Sequence, residues 1–189
     1  MKKQIAIITP VPEMVNSVVQ QSMLRRAVEQ EKVTLHCINL RDFGKSNYRQ
    51  IDDTPFGGGA GMVMMPKPLF QAIDHAIELV GGSENLRIIY PSPQGELWNH
   101  KHAVENSEAD KLIVICGHYK GIDERVIQKY VTHEYSIGDF VVTSGELPAL
   151  IVIDSVVRLI PGVLNKIESA LSDTFASDLL DAPYYTQPR

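Results

Sequence analysis

Four stretches of this chain carry residue types and spacings that could do chemistry. The first is Pro55-Phe56-Gly57-Gly58-Gly59-Ala60-Gly61-Met62, with four glycines in five positions. Such a loop permits positive φ and lets a ligand approach the backbone closely. It lacks the Gly-Lys-Ser/Thr of a phosphate-binding Walker loop, which disfavours a nucleotide-binding kinase-like domain, and it does not fit GxGxxG after a strand. The second is Tyr90-Pro91-Ser92-Pro93-Gln94-Gly95, and the third is Cys116-Gly117-His118-Tyr119-Lys120-Gly121-Ile122-Asp123-Glu124-Arg125. Each directly follows a short apolar run. The fourth, Ser136 to Ala149, has glycines at 138 and 145 around the apolar run Phe140-Val141-Val142, and its amides could hold an uncharged ring. Each also has a plainer explanation: a tight turn, a proline-fixed turn before the helix near Trp98, an acidic helix N-terminus at Asp123 and Glu124, and an irregular edge strand.

The elements that must position these loops follow from the apolar pattern. Ile5–Thr9, Val33–Ile38, Leu86–Tyr90 and Leu112–Cys116 are short and rich in Ile and Val, as strands buried on both faces are. Met14–Gln30 and Lys67–Val80 carry apolar residues at helical spacing, and Ile151–Ile160 predicts a late helix stopped by Pro161-Gly162. Strands alternating with helices imply right-handed crossovers and a mostly parallel α/β sheet with helices on both faces. In such a sheet ligands bind beyond the carboxyl ends of the strands, where the second and third stretches fall.

The 189 residues suffice for one domain with a sizeable core, and 44% hydrophobic with 22% charged residues excludes a disordered chain. No apolar run approaches the ~20 residues of a membrane span, and the amino terminus does not read as a secretory signal. Cys37 and Cys116 stand apart with no CxxC spacing, which favours neither a disulfide framework nor a zinc site and points to a reducing, cytoplasmic setting. His100, His102, His118 and His133 show no metal spacing and are expected at the surface or in polar clusters. The net charge of −5 confines any nucleic-acid contact to a local patch, with Arg25, Arg26, Arg41, Lys45, Arg49 and Arg158 as its candidates.

Pro55–Met62, Ser92–Gly95, Cys116–Val126 and Ser136–Pro148, followed by Asp154–Leu164, Asp173-Thr174-Phe175 and Leu179–Pro188, together resemble the bacterial tRNA (guanine-N1-)-methyltransferases, the TrmD family. The likeness runs in family order over nearly the whole chain. It implies a SPOUT-type fold whose carboxyl-terminal half forms a deep trefoil knot, an obligate homodimer, and methylation of N1 of the guanosine at tRNA position 37, 3′ to the anticodon. S-adenosylmethionine is the implied cofactor. Its implied contacts are Tyr90, Pro91, Gly117, Tyr119, Ile137, Gly138, Asp139, Phe140, Val141, Val142 and Gly145, and those of the guanosine are Asp53, Gly58 and Gly59. Asp173 matches the family's general base. Arg158 matches the guanidinium that offsets charge growing on O6.

The resemblance also suggests Mg²⁺ as an assistant, although no dedicated ligand cluster is visible. It divides the chain into a catalytic domain, residues 1–164, and residues 165–189, an interdomain linker and the start of a tRNA-binding domain that this chain lacks. The alternative function is therefore a cofactor-binding domain with little or no turnover. A knotted methyltransferase acting on ribose or ribosomal RNA is disfavoured by the Asp173 and Pro55–Met62 motifs. Three positions depart from the family pattern: His118 stands for an arginine, Lys120 for a glutamate and Ser144 for a glycine. Lys120 is left without a cofactor role, facing either the cofactor's carboxylate or solvent.

Overall fold

A computed structural model describes residues 2–164, 183 and 185–187. The strands β1 (Lys3–Thr9), β2 (Val33–Asn39), β5 (Leu86–Leu97), β6 (Lys111–Ile115) and β7 (His133–Ser136) form one sheet in the order β2-β1-β6-β5-β7. Every pairing in it is parallel. The short β3 (Asp52–Asp53) and β4 (Val63–Met64) make a separate antiparallel pair that brackets the glycine-rich stretch.

Alternation along the central strands builds two cores. Ile5 and Ile7 of β1 and Leu112, Val114 and Cys116, on β6 and just past its end, face one side, where α1 (Pro12–Val19), α2 (Ser22–Glu29), and α6 (Glu146–Val157) supply Val15, Leu24, Val152, Ile153 and Val156. Ala6, Ile8, Ile113 and Ile115 face the other, against Leu69, Ala72 and Ile73 of α3 (Pro66–Leu79) and Val126 of α5 (Glu124–Tyr130). Burial on both faces explains why these strands read as unbroken apolar runs. The fold is thus the expected three-layer α/β arrangement, and α4 (His100–Glu108) completes its helices.

Several elements differ from expectation. The single helix expected over Met14–Gln30 is two, because the chain turns at Gln20-Gln21 and Ser22 takes φ +48. β5 runs past Tyr90 to Leu97 with a register break in which Tyr135 faces both Pro91 and Glu96. Residues 92–95 bulge out of the ladder, where prolines without an N–H donor are tolerated. Gly95 allows this crossing, since a Cβ there would lie 2.5 Å from the Glu134 carbonyl carbon and the Tyr135 nitrogen. β7 is an edge strand whose polar sequence, His133-Glu134-Tyr135-Ser136, hides it. The last helix begins at Glu146, not Ile151, and ends at Val157. Its Pro148 lies in the first turn, where no intrahelical N–H bond is lost.

One polar tie anchors the sheet's start. The Lys3 side chain is buried, and its ammonium donates to the backbone carbonyls of Asn106 (2.9 Å), Ser107 (3.2 Å) and Ala109 at the carboxyl end of α4. Burial pulls its pKa down to about 8, so at neutral pH it remains a cation facing a helix carboxyl terminus. Lys3→Met keeps the stem but leaves those carbonyls without their donor. Urea denaturation should show a loss of roughly 1–3 kcal/mol, whereas an unchanged midpoint would mean the tie contributes nothing.

Candidate active site

A cavity of about 500 Å³ opens beyond the carboxyl ends of β5, β6 and β7. That volume is in the range of small-ligand sites. Three loops wall it: the β5 bulge with Pro91 to Gln94, the turn from Gly117 to Ile122 after β6, and the loop from Ser136 to Gly145 after β7. Of the expected cofactor residues, Tyr90, Pro91, Gly117, Tyr119, Ile137, Phe140, Val141, Val142 and Gly145 line it together. Gly138 and Asp139 do not line it. The Gly138 carbonyl instead accepts from the Ser136 hydroxyl (3.0 Å) and the Phe140 amide (2.9 Å), which shapes the loop.

Close packing fixes the inner wall. The Gly145 amide donates to the Gly117 carbonyl at 2.8 Å, and a Cβ on Gly145 would stand 2.4 Å from the Gly117 nitrogen. On Gly117 it would stand 2.8 Å from the Tyr90 ring. No side chain fits at either place, so these glycines permit the three loops to meet. Tyr119 takes φ +60, a left-handed conformation uncommon outside glycine and characteristic of sites held under constraint.

A buried carboxylate hydrogen-bonded to a histidine stands behind the cavity, and the sequence offered little sign of it. Glu146, fully buried at the first residue of α6, accepts from His118 Nε2 at 2.8 Å through both oxygens and from Thr9 Oγ1 at 2.6 Å. Burial alone would push this carboxyl up. Hydrogen bonds from His118, Thr9 and Ser144 outweigh it and hold the group below the ordinary carboxylate range. His118 lines the cavity, as does Ser144, so two of the three departures from the family pattern meet at this carboxylate. His118 is thus part of a polar cluster, as expected, but one that joins the end of β1, the turn after β6 and the start of α6.

The glycine-rich stretch approaches the same region from the side of β4. The Lys120 amide donates to the Met62 carbonyl (3.0 Å), the Met64 amide to the Gly121 carbonyl (3.0 Å), and the Asp123 amide to the Met64 carbonyl (3.0 Å). Gly58, Gly59 and Asp53 are exposed, and a Cβ on Gly58 would meet nothing within 4 Å. This backbone is accessible to a large ligand. Arg158 is not among the cavity's lining residues; it caps the far end of α6. Asp173 and residues 165–182 lie outside the described residues.

The comparisons agree with this geometry. A family model described as tRNA (Guanine-1)-methyltransferase TrmD matches residues 3–189. The chain belongs to this family. It is 48% identical over 183 residues to the tRNA (guanine-N(1)-)-methyltransferase of Clostridioides difficile (strain 630), covering 97% of this chain and 79% of that protein. To that of Francisella tularensis subsp. tularensis (strain FSC 198) it is 46% identical over 188 residues, covering 100% and 73%. Among solved structures, the tRNA (m1G37) methyltransferase from Aquifex aeolicus superposes with a TM-score of 0.83 at 34% identity, over 100% of this chain and 78% of that one. TrmD membership implies S-adenosylmethionine in the general sense that methyltransferases use it, and a cavity with mixed polar and apolar walls and no side chain at Gly117 suits such a ligand.

No helix among the described residues is long and apolar enough to cross a membrane. Nor does any group of three or more His, Cys, Asp or Glu among them have the arrangement to hold a metal ion.

Because the Glu146 carboxyl is held below 4.5 in the folded chain, acidification protonates the unfolded chain first. Its contribution to stability is present above that value and is lost as pH falls through the lower folded value. Glu146→Gln should cost roughly 3 kcal/mol at neutral pH and should remove part of the wild-type loss below pH 4.5. Urea titrations at neutral and acidic pH test both; equal losses at the two pH values would show that the charge is immaterial.

Proposed function

We propose that this chain transfers the methyl group of S-adenosylmethionine to N1 of the guanosine at tRNA position 37, 3′ to the anticodon. The observation that carries this reading is the convergence of the three family loops on one cavity with the glycine-rich stretch beside it. Bound there, the cofactor supplies a methyl group already activated on a sulfonium, so the chain's tasks are positioning and proton removal. Tyr90, Pro91, Gly117, Tyr119, Ile137, Phe140, Val141, Val142 and Gly145 hold the cofactor, while Gly138 and Asp139 shape the loop that carries them. Asp53, Gly58 and Gly59 receive the guanosine. N1 of guanine is a poor nucleophile until its proton leaves, which requires a base within hydrogen-bond reach; Asp173 takes that role. Arg158 stabilises the negative charge that then develops on O6.

The placement of Arg158 supports a homodimer. α6 spans 12 residues, so about 18 Å of helix separates Arg158 from the cavity at the other end. Leu147, Ile151, Asp154 and Arg158 recur at spacings of four, three and four, on one stripe of α6, and Leu147 and Ile151 are about half exposed. A second copy packed on that stripe would cover the apolar pair and bring one protomer's Arg158 toward its partner's cavity. The same reading makes residues 1–164 the catalytic domain and 165–189 a linker. It includes the trefoil knot, for which the tight passage of Gly145 against Gly117 is support. The tRNA substrate puts the enzyme in the cytoplasm.

Mass spectrometry of tRNA incubated with the chain and S-adenosylmethionine tests the activity. A 1-methylguanosine at position 37 is expected, and its absence would overturn the reading in favour of a cofactor-binding domain with little turnover. Asp173→Asn should slow single-turnover transfer by roughly 10²-fold or more with cofactor affinity near wild type; an active variant would remove Asp173 from the mechanism. Ile151→Lys should give a monomer by analytical ultracentrifugation with transfer largely lost. A dimer that remains intact would place the interface elsewhere.

A further inference from the structure

Lys120 is an exposed cation in the cavity wall whose stem lies along the glycine-rich stretch at the cavity's edge. Its stem passes over Gly61: a Cβ built there would lie 3.0 Å from Lys120 Cε, 3.1 Å from Cγ and 3.3 Å from Cδ. Gly61, at φ +95, is thus the seat on which the stem lies. The Nζ atom reaches further, to 3.9 Å from the position a Gly59 Cβ would take. Lys120 lines the cavity whereas Gly59 and Gly61 do not, so its side chain bridges the cavity's edge and the loop. Its backbone is pinned as well, through the bond from the Lys120 amide to the Met62 carbonyl.

No salt bridge holds this ammonium among the described residues. By contrast, two other cations proposed for a basic patch are neutralised on the surface, Arg25 by Glu29 (3.7 Å) and Arg49 by Asp42 (3.1 Å). A lysine held along bare glycine backbone, with open space above Gly58, offers a point charge beside an exposed loop. That combination receives an oxyanion.

We infer that Lys120 binds a phosphate of the tRNA backbone next to the target guanosine, at the seam between the cofactor cavity and the glycine-rich loop. The inference rests on the function proposed above and adds a substrate contact to it. The competing oxyanion is the carboxylate of the cofactor's amino-acid end, and Nζ, 3.9 Å from the position of a Gly59 Cβ, lies toward the loop side of the cavity's edge. A single lysine–phosphate contact releases counterions in proportion to the charge neutralised, so its loss has a defined signature in salt dependence.

The test compares wild type with Lys120→Gln and Lys120→Arg in the full chain. Filter binding of tRNA is followed from low to physiological salt, and S-adenosylmethionine affinity is measured by calorimetry. Lys120→Gln should weaken tRNA binding roughly 3- to 10-fold at low salt and make the log–log salt slope shallower by about 0.7–0.9. Lys120→Arg should stay near wild type, and both variants should bind cofactor within about twofold of it. An unchanged salt slope in Lys120→Gln overturns the inference. So does a loss confined to cofactor affinity, which would assign Lys120 to the carboxylate. A wild-type chain that methylates no tRNA overturns the functional reading and this contact with it, whereas an active wild type beside an unaltered Lys120→Gln slope overturns the contact alone.

Discussion

The buried carboxylate of Glu146 is the constraint from which the site's geometry descends. A charge removed from water is tolerated only when its lone pairs are met by donors, and here they come from Thr9 at the end of β1 and His118 in the turn after β6. Those two elements must therefore arrive where α6 begins. The Gly145 amide bonded to the Gly117 carbonyl repeats the same demand through the backbone one residue away. Together they hold the turn after β6 and the loop before α6 at a fixed separation.

Much of this framework was legible in the sequence because double-sided burial leaves a strong mark. The runs around Ile5–Ile8 and Leu112–Ile115 have no polar face to alternate with, and each lies within a residue or two of its strand's bounds. What escaped was held together by tertiary contact. β7 is a strand because β5 pairs with it, not because His133-Glu134-Tyr135-Ser136 favours one. The continuation of β5 through two prolines depends on the absent side chain of Gly95 facing Glu134 and Tyr135, residues some forty positions away.

The site shows the same division. The loop at 116–125 announced itself through a glycine closing an apolar strand, and family order joined it to 136–149. The partnership of His118 with Glu146 left no local trace: 28 residues separate them, and each taken alone reads as a surface histidine or an acidic helix start. A usable signal did exist. Glu146 directly precedes Leu147-Pro148 in a helix whose next five residues, Ala149 to Ile153, are wholly apolar, and an acid at such a buried start needs a partner.

Rigidity is distributed unevenly around the cavity, and the distribution matches what methyl transfer needs. At the floor, Gly117 and Gly145 meet neighbours so closely that not even a methyl group fits, which fixes the surface on which a ligand is aligned. At the rim, Phe140 and Val141 are 56% and 81% exposed, apolar side chains left in water on a loop with few bonds of its own. Such exposure opposes stability unless something covers it. A ligand entering the cavity would bury those side chains, so part of the driving force for binding is stored in the rim while the floor supplies orientation. In-line transfer has no tolerance for a mobile floor, whereas entry and release need a rim that opens, and the chain places its packing constraints accordingly.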